Sequence, residues 1–378
     1  MRVALNAAIL RSPRTGIGQY VTELVHALQT HPDLELTLFN GWGQWAVPPT
    51  AALPGYSAWS GWIKRLVPGA YPLRRGIEQW RFRRLTAALH TDLYHDPSLW
   101  PLEYDGPMVM TLHDLTHVHY PHTQPKDRLR QMERHVSRSV ERAARILVDS
   151  HFIAGEVISH FGISSERVRV APLSYAQRFH PRSRDELLRT LQVLGLESGR
   201  YLLCVGTLEP RKNLPLVLRA YGRLPAAMRE AFPLILVGMP GWRREQLDEP
   251  LQQMLASGQV RLLGYQPDET LAELLAGARL LVFPSLYEGF GLPVLEAMAS
   301  GTPVILSRAS ALTEVAGVAG LKVDAEDDIA CAQALQCLIE DQALWQQQRE
   351  AGLVRAQAFS WEHCARITAE TYREALRS

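Results

Sequence analysis

The sequence predicts an α/β protein made of two domains, each with its own parallel sheet. Short apolar runs alternate with stretches of helical spacing along the chain, as in parallel strands joined by helices. At 378 residues the chain is long enough for two domains of ordinary size. Residues 168–186 carry prolines and charges between two series of such elements, and we interpret them as the connection between the domains.

The first series starts with RVALNAAIL (2–10), which has the pattern of a buried strand. TGIGQY (15–20) follows as a glycine-rich loop, and VTELVHAL (21–28) has helical spacing. MVMTLHD (108–114) and RILVDS (145–150) are further apolar runs that end in polar residues. Ligands of open parallel sheets bind at the carboxyl ends of the strands, so these polar ends are candidate site positions.

The second series repeats the design. RYLLCVGTL (200–208), FPLILVGMPG (232–241), QVRLLGY (259–265) and ARLLVFPS (278–285) are predicted as buried strands. The last of these leads through a glycine loop into a helix and then into the strand PVILS (303–307).

Composition limits the class of protein. The formal net charge is +1, so a basic surface is expected only where basic residues cluster. The four cysteines are scattered without a C-x-x-C, which favours a reduced, cytosolic protein. The opening apolar run is short and lacks a cleavage-like site, so we expect a first buried strand and not a signal peptide. No run of about 18 apolar residues is present to span a membrane.

The stretch GTLEPRKN (206–213) follows a predicted strand directly. Arg211 and Lys212 are adjacent at the mouth of the sheet, where a planar guanidinium and an ammonium could hold a diphosphate. The structural alternative is a solvated basic pair at a strand end. The glycine loop further along the chain favours the diphosphate interpretation of this pair.

That loop lies in SLYEGFGLPVLEAMAS (285–300), where Glu288 and Glu296 flank a Gly-Phe-Gly turn. Gly289 and Gly291 allow a tight turn and a close approach of the backbone to a ligand. Pro293 suits the first helical turn, so the loop should direct free N–H groups toward an anion. The structural alternative for Glu296 is an acid that the helix dipole favours in the first turn.

Taken together, E-P-R-K-N, E-G-F-G-L-P-x-L-E-A-M-A-x-G-x-P-V and the G-I-G near the start resemble the retaining glycosyltransferases of family 4, which have the GT-B fold. The resemblance covers essentially the whole chain. It implies two Rossmann-like domains, 1–175 and 176–358, with sheets facing across a cleft and a last helix (359–378) returning to the first domain. Neither half has a complete G-x-G-x-x-G or a Walker loop, which argues against a dinucleotide enzyme or a kinase.

The resemblance also implies roles for individual residues. Glu288 would bind hydroxyls of the donor sugar and Glu296 the ribose of the nucleotide, while Arg211 and Lys212 would neutralise the leaving diphosphate. Backbone groups near the sugar, phosphates and base complete the expected donor site: Gly16, Gly18, Gly206, Tyr265, Gly289, Phe290, Gly291 and Leu292. Carboxylates accept paired hydroxyls well, and glycine amides at a helix start favour phosphate.

HDLTHVHYPHT (113–123) carries four histidines and an aspartate after a predicted strand. The residues alone suggest a metal site. The family resemblance instead implies a metal-independent enzyme without cofactor, with His113 as a catalytic residue beside the donor sugar and Asp114 supporting it. His117, His119 and His122 are then polar loop residues, with a position near the acceptor left open.

The segment 57–85 carries seven Lys or Arg residues and three tryptophans against one acid. We interpret it as a surface that adsorbs to anionic lipid. A solvated basic helix is the structural alternative, and nucleic acid would also fit the pattern, although no recognised binding module accompanies it. The expected membrane-contact residues are Trp59, Trp62, Lys64, Arg65, Arg81, Arg83 and Arg84.

The resulting hypothesis is a transferase that moves a hexosyl group from a nucleotide sugar to a hydroxyl acceptor in polysaccharide or lipopolysaccharide assembly. GDP-mannose is the expected donor, because the sequence of residues 206–213 resembles that of bacterial mannosyltransferases. A dTDP-rhamnose or UDP-hexose donor remains an alternative, as does a non-catalytic GT-B scaffold. The acceptor is expected on a glycan or a polyprenyl diphosphate, with the protein peripheral at the cytoplasmic membrane and no nucleic-acid partner.

Overall fold

The structure is a computed structural model, and it describes residues 1–12, 16–49, 70–123, 126–239, 252 and 254–378. Strands β1 to β13 are, in order, Arg2–Asn6, Glu35–Phe39, Gln44–Trp45, Leu93–Asp96, Met108–Leu112, Arg145–Val148, Val168–Val170, Leu202–Val205, Leu234–Val237, Val260–Gly264, Leu280–Phe283, Val304–Ser307 and Leu321–Val323. Each predicted strand is found, but the run predicted over 2–10 is a strand only to Asn6 and continues as the 3-10 turn Ala8–Arg11. The helices are Gly16–Leu28, Ala70–Ala88, Thr116–His119, Lys126–Arg142, His151–Phe161, Arg184–Val193, Leu214–Gly222, Ala226–Ala231, Asp268–Gly277, Leu292–Ala299, Leu312–Ala316, Asp328–Glu340, Gln342–Ala356 and Trp361–Ala375.

Two sheets organise these elements. The first has the strand order β3-β2-β1-β4-β5-β6-β7 and is parallel except for β3, which pairs with β2 in antiparallel fashion. The second has the order β10-β9-β8-β11-β12-β13, and every pairing in it is parallel. The central strands, such as Met108–Leu112 and Val304–Ser307, are buried throughout because helices cover both faces of a parallel sheet. The α/β prediction with two parallel sheets is confirmed.

The chain divides into two compact units. The first unit comprises Met1–His113, Arg130–Leu173 and Trp361–Ser378, and the second comprises Asp114–Leu129 and Ser174–Ser360. The sequence assigned residues 114–129 to the first domain, whereas in the structure they pack with the second unit. The reason is an aromatic contact: the Tyr120 and Tyr287 rings lie 5.7 Å apart, and the Tyr120 hydroxyl donates to the Leu286 carbonyl at 3.2 Å.

The predicted connection at 168–186 also differs in detail. Its first residues, Val168–Val170, form β7 at the edge of the first sheet, where they pair with β6. Its last residues begin the helix Arg184–Val193, which Ser183 and Glu186 start with a reciprocal capping box. The connection proper is therefore shorter than the sequence suggested.

The last helix, Trp361–Ala375, packs within the first unit, as the resemblance implied. Its buried face includes Cys364 and Tyr372, and the Tyr372 hydroxyl lies 2.7 Å from Nδ1 of His95 in β4. The four cysteines are free thiols. None of the helices in the described part of the chain is long and apolar enough to cross a membrane.

Candidate active site

The second sheet reverses its strand order between β8 and β11, and the loops that follow these two strands meet at that point. Such a switch point leaves a crevice beyond the carboxyl ends of the strands, where ligands of α/β proteins bind. The loop after β8 contains Gly206 and the short 3-10 turn Pro210–Lys212. The loop after β11 contains Glu288 and the glycine turn. The two motifs singled out in the sequence therefore lie together at this crevice.

Backbone packing fixes the start of the β8 loop. Gly238 has a φ of +152°, and a Cβ at this position would overlap the carbonyl oxygen of Gly206. The Gly206 N–H donates to the Val237 carbonyl at 2.9 Å, so the ends of β8 and β9 touch without side chains between them. Asn213 fixes the other end of the loop, because its amide donates to the carbonyls of Pro284 (3.1 Å) and Ala325 (2.7 Å).

Arg211 is held by acceptors on three residues. Its Nε and Nη2 donate to Oε1 of Glu209 at 3.1 and 2.7 Å, and its Nη1 donates to the Tyr287 carbonyl at 2.7 Å. The same Nη1 lies 2.7 Å from Oε2 of Glu288. Burial alone would lower the pKa of Arg211, but the acids Glu288, Glu209 and Asp114 outweigh it and raise the pKa above its ordinary value. Most of the guanidinium donors are thus already used inside the protein.

Lys212 has more donors to spare. Its Nζ lies 2.6 Å from Oε1 of Glu288 and 4.8 Å from the centroid of the Phe283 ring. Gly206 leaves room for its stem, because a Cβ there would come within 3.3 Å of Lys212 Cε. An ammonium has three N–H donors, so a single carboxylate oxygen leaves the others available to a ligand.

Glu288 is 7% exposed and is nevertheless strongly acidic. Burial alone would raise its pKa, but the charges of Arg211 and Lys212 overcome burial and lower the pKa to about 2. The Glu288 N–H also donates to the Ser310 hydroxyl at 2.9 Å, which fixes the backbone of the loop.

Glu296 has the same exposure, 7%, and the opposite behaviour. Burial raises its pKa to about 8, the nearby charge of Asp268 adds to the rise, and Arg178 offsets only part of it. Arg178 and Asp268 form an ion pair with each other at 3.4 Å, which reduces the help that Arg178 gives to Glu296. Glu296 therefore carries a proton near neutral pH.

The glycine turn between these acids has the geometry that the sequence predicts. Gly291 has a φ of +95°, and a Cβ there would overlap the Leu312 side chain, so only glycine fits. The helix Leu292–Ala299 starts directly after it, with Pro293 in its first turn. Phe290 is buried with its ring edge-on to Phe359 at 5.7 Å, and Gly289 lies beside it in the same turn.

Asp114, which the sequence analysis placed beside His113, lies close to this cluster. Asp114 Oδ1 accepts the Thr116 N–H at 3.0 Å, and its charge is one of those that raise the pKa of Arg211. The Leu115 N–H donates to the Tyr287 hydroxyl at 3.1 Å, which ties this segment to the loop that carries Glu288. Within the second unit, the structure thus brings together Asp114, Gly206, Arg211, Lys212 and Glu288.

His113 ends β5's segment in the first unit, where its Nδ1 lies 2.7 Å from Oδ2 of Asp149. Asp149 is 3% exposed, and the ring of Tyr20 meets the His113 ring edge-on at 4.8 Å. A carboxylate at Nδ1 favours the tautomer that has its proton there, and it fixes the orientation of the ring. Sequence reasoning did not single out Asp149, although its place at the polar end of RILVDS was the available signal.

A buried polar chain continues behind His113 in the first unit. The Tyr20 hydroxyl contacts the Thr111 hydroxyl at 3.0 Å, which in turn lies 2.7 Å from Nε2 of His95. Burial, with a smaller effect of His113, lowers the pKa of His95 to about 3, so this ring is neutral. Tyr372 occupies the other nitrogen of His95, which connects the last helix to this chain.

The other predicted donor residues lie at strand ends or helix starts. The glycine-rich loop predicted over 15–20 is instead helical from Gly16, because Gly16 and Gly18 lie in the first turn of the helix Gly16–Leu28. Tyr265 follows β10 with 46% of its surface exposed. Leu292 is the first residue of its helix. Of the loop histidines, His119 lies 5.5 Å from the Tyr287 ring. No group of three or more His, Cys, Asp or Glu residues suited to a metal ion occurs within the described ranges.

The predicted membrane segment is described only in part. Trp59, Trp62, Lys64 and Arg65 lie outside the described residues. In the helix Ala70–Ala88, Arg81 Nη1 donates to the Trp42 carbonyl at 2.7 Å, and Arg83 pairs with Glu103 at 2.9 Å. The Arg84 guanidinium lies 4.9 Å from the centre of the Trp80 ring, which is 55% exposed. These cations have intramolecular partners, although all remain near the surface.

Comparison with known proteins gives consistent results for both units. The family model described as "Glycosyltransferase Family 4" matches residues 14–174, and that described as "Glycosyl transferases group 1" matches residues 191–354. The chain is 38% identical over 384 residues to "O-antigen chain mannosyltransferase B" of Escherichia coli, covering 99% of this chain and 100% of that protein. It is 30% identical over 243 residues to "Serotype-specific mannosyltransferase WbdA" of Escherichia coli, covering 63% of this chain and 30% of that protein.

Among solved structures, sucrose-phosphate synthase from Thermosynechococcus elongatus superposes with a TM-score of 0.75 at 22% identity, covering 99% of this chain and 98% of that one. That likeness establishes the fold. The matches to both family models and the end-to-end alignment with one relative show that the chain is a glycosyltransferase of family 4 with the GT-B fold.

Proposed function

We propose that this glycosyltransferase moves a mannosyl group from GDP-mannose to a hydroxyl of a growing polysaccharide of the O-antigen type, with retention of the anomeric configuration. The observation that carries the proposal is the buried cluster of Glu288 with Arg211 and Lys212 at the switch point of the second sheet. The choice of mannose is supported by the relative named "O-antigen chain mannosyltransferase B", which aligns over its whole length.

Stabilisation of the leaving group is the main chemical task of such a site. Negative charge develops on the nucleoside diphosphate as the bond to the sugar breaks, and preorganised cations stabilise that charge most effectively where water is excluded. Lys212 is the better placed of the two cations, because its spare N–H donors can reach a phosphate while Glu288 holds its position. Arg211 acts mainly by holding Glu209, Glu288 and the Tyr287 carbonyl in one arrangement.

Glu288 and the glycine turn complete the donor site. A carboxylate that stays ionised accepts hydroxyl donors of a hexose, and the pKa of about 2 ensures that Glu288 is ionised at any working pH. The turn at Gly289, Phe290 and Gly291 leads into the helix at Leu292, whose N-terminal end favours phosphate. We assign Glu296 to the ribose hydroxyls, and Gly206 and Tyr265 to the phosphate and base.

His113 and Asp114 are assigned to the sugar and the reaction centre. In this proposal His113 binds through the nitrogen that does not face Asp149, and Asp149 acts as a positioning residue. Gly16 and Gly18 would allow close backbone approach to the diphosphate or sugar. No bound metal is needed in this scheme, since side-chain cations and helix-end amides carry the charge of the diphosphate.

Binding followed by turnover tests the donor assignment. Calorimetric titration with GDP, UDP and dTDP should give tight binding to GDP alone, and radiolabelled GDP-mannose should label a polyprenyl-diphosphate-linked glycan acceptor with EDTA present. Preference for UDP or dTDP would replace mannose by another hexose or by rhamnose. Binding of GDP without transfer to any glycan acceptor would favour the scaffold alternative, and loss of activity in EDTA with rescue by a divalent ion would contradict metal independence.

The acceptor and its location form a second part of the proposal. A polyprenyl-linked glycan lies at a membrane, so we propose peripheral adsorption at the inner face of the cytoplasmic membrane through the segment 57–85. Each cation near an anionic leaflet contributes about 1 kcal/mol, and salt screens that attraction. Flotation with anionic vesicles at low salt, reversed at high salt and reduced in Arg81→Glu/Arg83→Glu/Arg84→Glu, is the expected result. Equal recovery with neutral vesicles, or no binding at low salt, would contradict adsorption.

A further inference from the structure

A cavity of about 610 Å³ opens in the second unit at the end of the sheet remote from Glu288. Its walls come from the segments just before β8, β9, β11 and β12, among them Arg200, Phe232, Arg279 and Gly301. These strands are parallel, so the cavity lies at their amino ends, whereas Arg211 and Lys212 lie at their carboxyl ends. A strand of four residues separates the two ends by about 13 Å.

The lining of this cavity is strongly basic. Five arginines contribute to it, and none of its lining residues is acidic: Arg182, Arg184, Arg200, Arg279 and Arg349. Two of the five have evident structural roles. Arg182 pairs with Glu269 and Glu273, and Arg279 donates to the carbonyls of Leu338 and Ile339 at the end of the helix Asp328–Glu340.

The other three arginines have no such neutralising partner. Within the described part of the chain, Arg184, Arg200 and Arg349 form no ion pair with a carboxylate. Arg200 lies over the Phe232 ring at 5.6 Å, and Arg349 approaches the Gly301 turn, where a Cβ would come within 3.2 Å of its Nε. Burial lowers the pKa of Arg279, and the positive charge of Arg200 lowers it further. Concentrated like charge of this kind stabilises a bound anion.

We propose that this cavity binds a phosphate-bearing anion of the size of a diphosphate or a sugar phosphate, with Arg184, Arg200 and Arg349 as its ligands. Guanidinium groups bind phosphate oxygens in bidentate fashion, and the volume lies in the range of small-molecule pockets. The site is separate from the donor site, and the inference holds whichever sugar the enzyme transfers. Both a soluble phosphate compound and the headgroup of an anionic phospholipid have the required chemistry.

Calorimetric titration with inorganic pyrophosphate tests the site, using the Lys212→Met protein to weaken diphosphate binding at the donor end. Adding Arg200→Gln and Arg349→Gln should weaken pyrophosphate binding about tenfold or more, the scale for losing charge-assisted hydrogen bonds. The matched control is Arg189→Gln, an exposed arginine on the same helix as Arg184 that does not line the cavity. Its affinity should stay within about twofold of the parent, as expected for a surface charge.

Vesicles distinguish the two sources of phosphate. If pyrophosphate does not bind, but flotation with phosphatidylglycerol vesicles falls in the Arg200→Gln/Arg349→Gln variant and not in Arg189→Gln, the occupant is a lipid headgroup. Cooperative urea unfolding checks that the variants fold. If the double variant does not fold, Arg184→Gln alone, at an exposed position, should show the same loss of pyrophosphate binding. The proposal would be overturned if the protein neither binds pyrophosphate nor floats with these vesicles. It would also be overturned if neither measurement changes when these arginines are replaced.

Discussion

Glu288 and Glu296 lie at the two sides of one glycine turn, with the same exposure of 7%, yet their surroundings move their pKa values in opposite directions. Arg211 and Lys212 hold the pKa of Glu288 at about 2, whereas burial beside Asp268 raises that of Glu296 to about 8. The two side chains are equally buried, so the difference between their pKa values comes from the cations Arg211 and Lys212. One acid is permanently charged, and the other can gain or lose a proton under working conditions.

The largest expected effect comes from removing the cations around Glu288. Lys212→Met should lower kcat about 100- to 1000-fold, the scale for one preorganised charge-stabilising group, with little change in unfolding free energy. Arg211→Ala should lower kcat on a similar scale and also destabilise the fold by about 3–5 kcal/mol, since it leaves Glu209 and Glu288 buried without their main partner. Initial rates and urea unfolding measure both effects.

Lys322→Met is the matched control for Lys212→Met, because the Lys322 ammonium donates to the Gly317 carbonyl, whereas that of Lys212 contacts Glu288. Its kcat should match that of the wild type. Turnover within tenfold of normal in Lys212→Met would remove Lys212 from the leaving-group role.

The next effect separates the two acids by function. Glu288→Gln should lower transfer and discrimination between donor sugars, because the hydroxyl-accepting charge is lost. Glu296→Gln should weaken binding of GDP itself about tenfold, the value of a hydrogen bond to a charged group. The loss should be greatest above pH 8, where the wild-type side chain is ionised. Equal loss of GDP affinity in the two variants, measured by calorimetry, would contradict the division of roles.

Stability should depend on pH in opposite ways for the two acids. The raised pKa of Glu296 gives a stabilising contribution that is complete below its ordinary value of 4.5 and is lost as pH rises through about 8. Glu296→Gln should therefore stabilise the protein at pH 9 relative to the wild type, and this advantage should disappear near pH 4.5. The depressed pKa of Glu288 contributes stability above 4.5 that is lost as pH falls through about 2.

Urea unfolding at pH 5, 7 and 9 measures this contrast, with Glu288→Gln as the comparison. Glu288→Gln should be destabilised at all three pH values. A Glu296→Gln variant whose unfolding free energy follows the wild type at every pH would show that Glu296 is not protonated in the fold.

The smallest expected effect is the release of a fraction of one proton when GDP binds. Ribose hydroxyls that donate to Glu296 favour its charged form, so GDP binding near pH 7 should release a proton. Calorimetry in two buffers of different ionisation enthalpy measures the release, which should reach at most one proton and vanish in Glu296→Gln. Release that persists in that variant would have to come from another group.

Local patterns predicted the sheets, the glycine turn and the two motifs at the crevice. Gly291 is an example. Its backbone φ of +95° and the helix that follows it depend on residues that are adjacent in the chain, so they can be predicted from the local sequence. The charge state of Glu296 could not be predicted in this way, because it depends on Asp268 and Arg178, which come from distant parts of the chain. The same holds for Asp149, which meets His113 across two neighbouring strands.

Residues 114–129 show a second limit. Their sequence position after β5 suggested the first domain, but the Tyr120 and Tyr287 rings and the Leu115 N–H tie them to the second unit. The hydrogen bond and the ion pair of Arg211 could not be predicted from local sequence either, because Tyr287 and Glu288 lie 76 and 77 positions further along the chain. Sequence patterns proposed which residues form the site, and the structure revealed which of their hydrogen-bond donors already have partners within the protein.

The return of the helix Trp361–Ala375 to the first unit has a consequence for synthesis of the protein on the ribosome. The first unit cannot bury His95 and its neighbours against Tyr372 until the last residues have been translated. At roughly 5–20 residues per second, that interval lasts on the order of 10–40 s after residue 173 has been added. The second unit is complete at Ser360, so all of its residues are translated before the helix that covers His95 in the first unit.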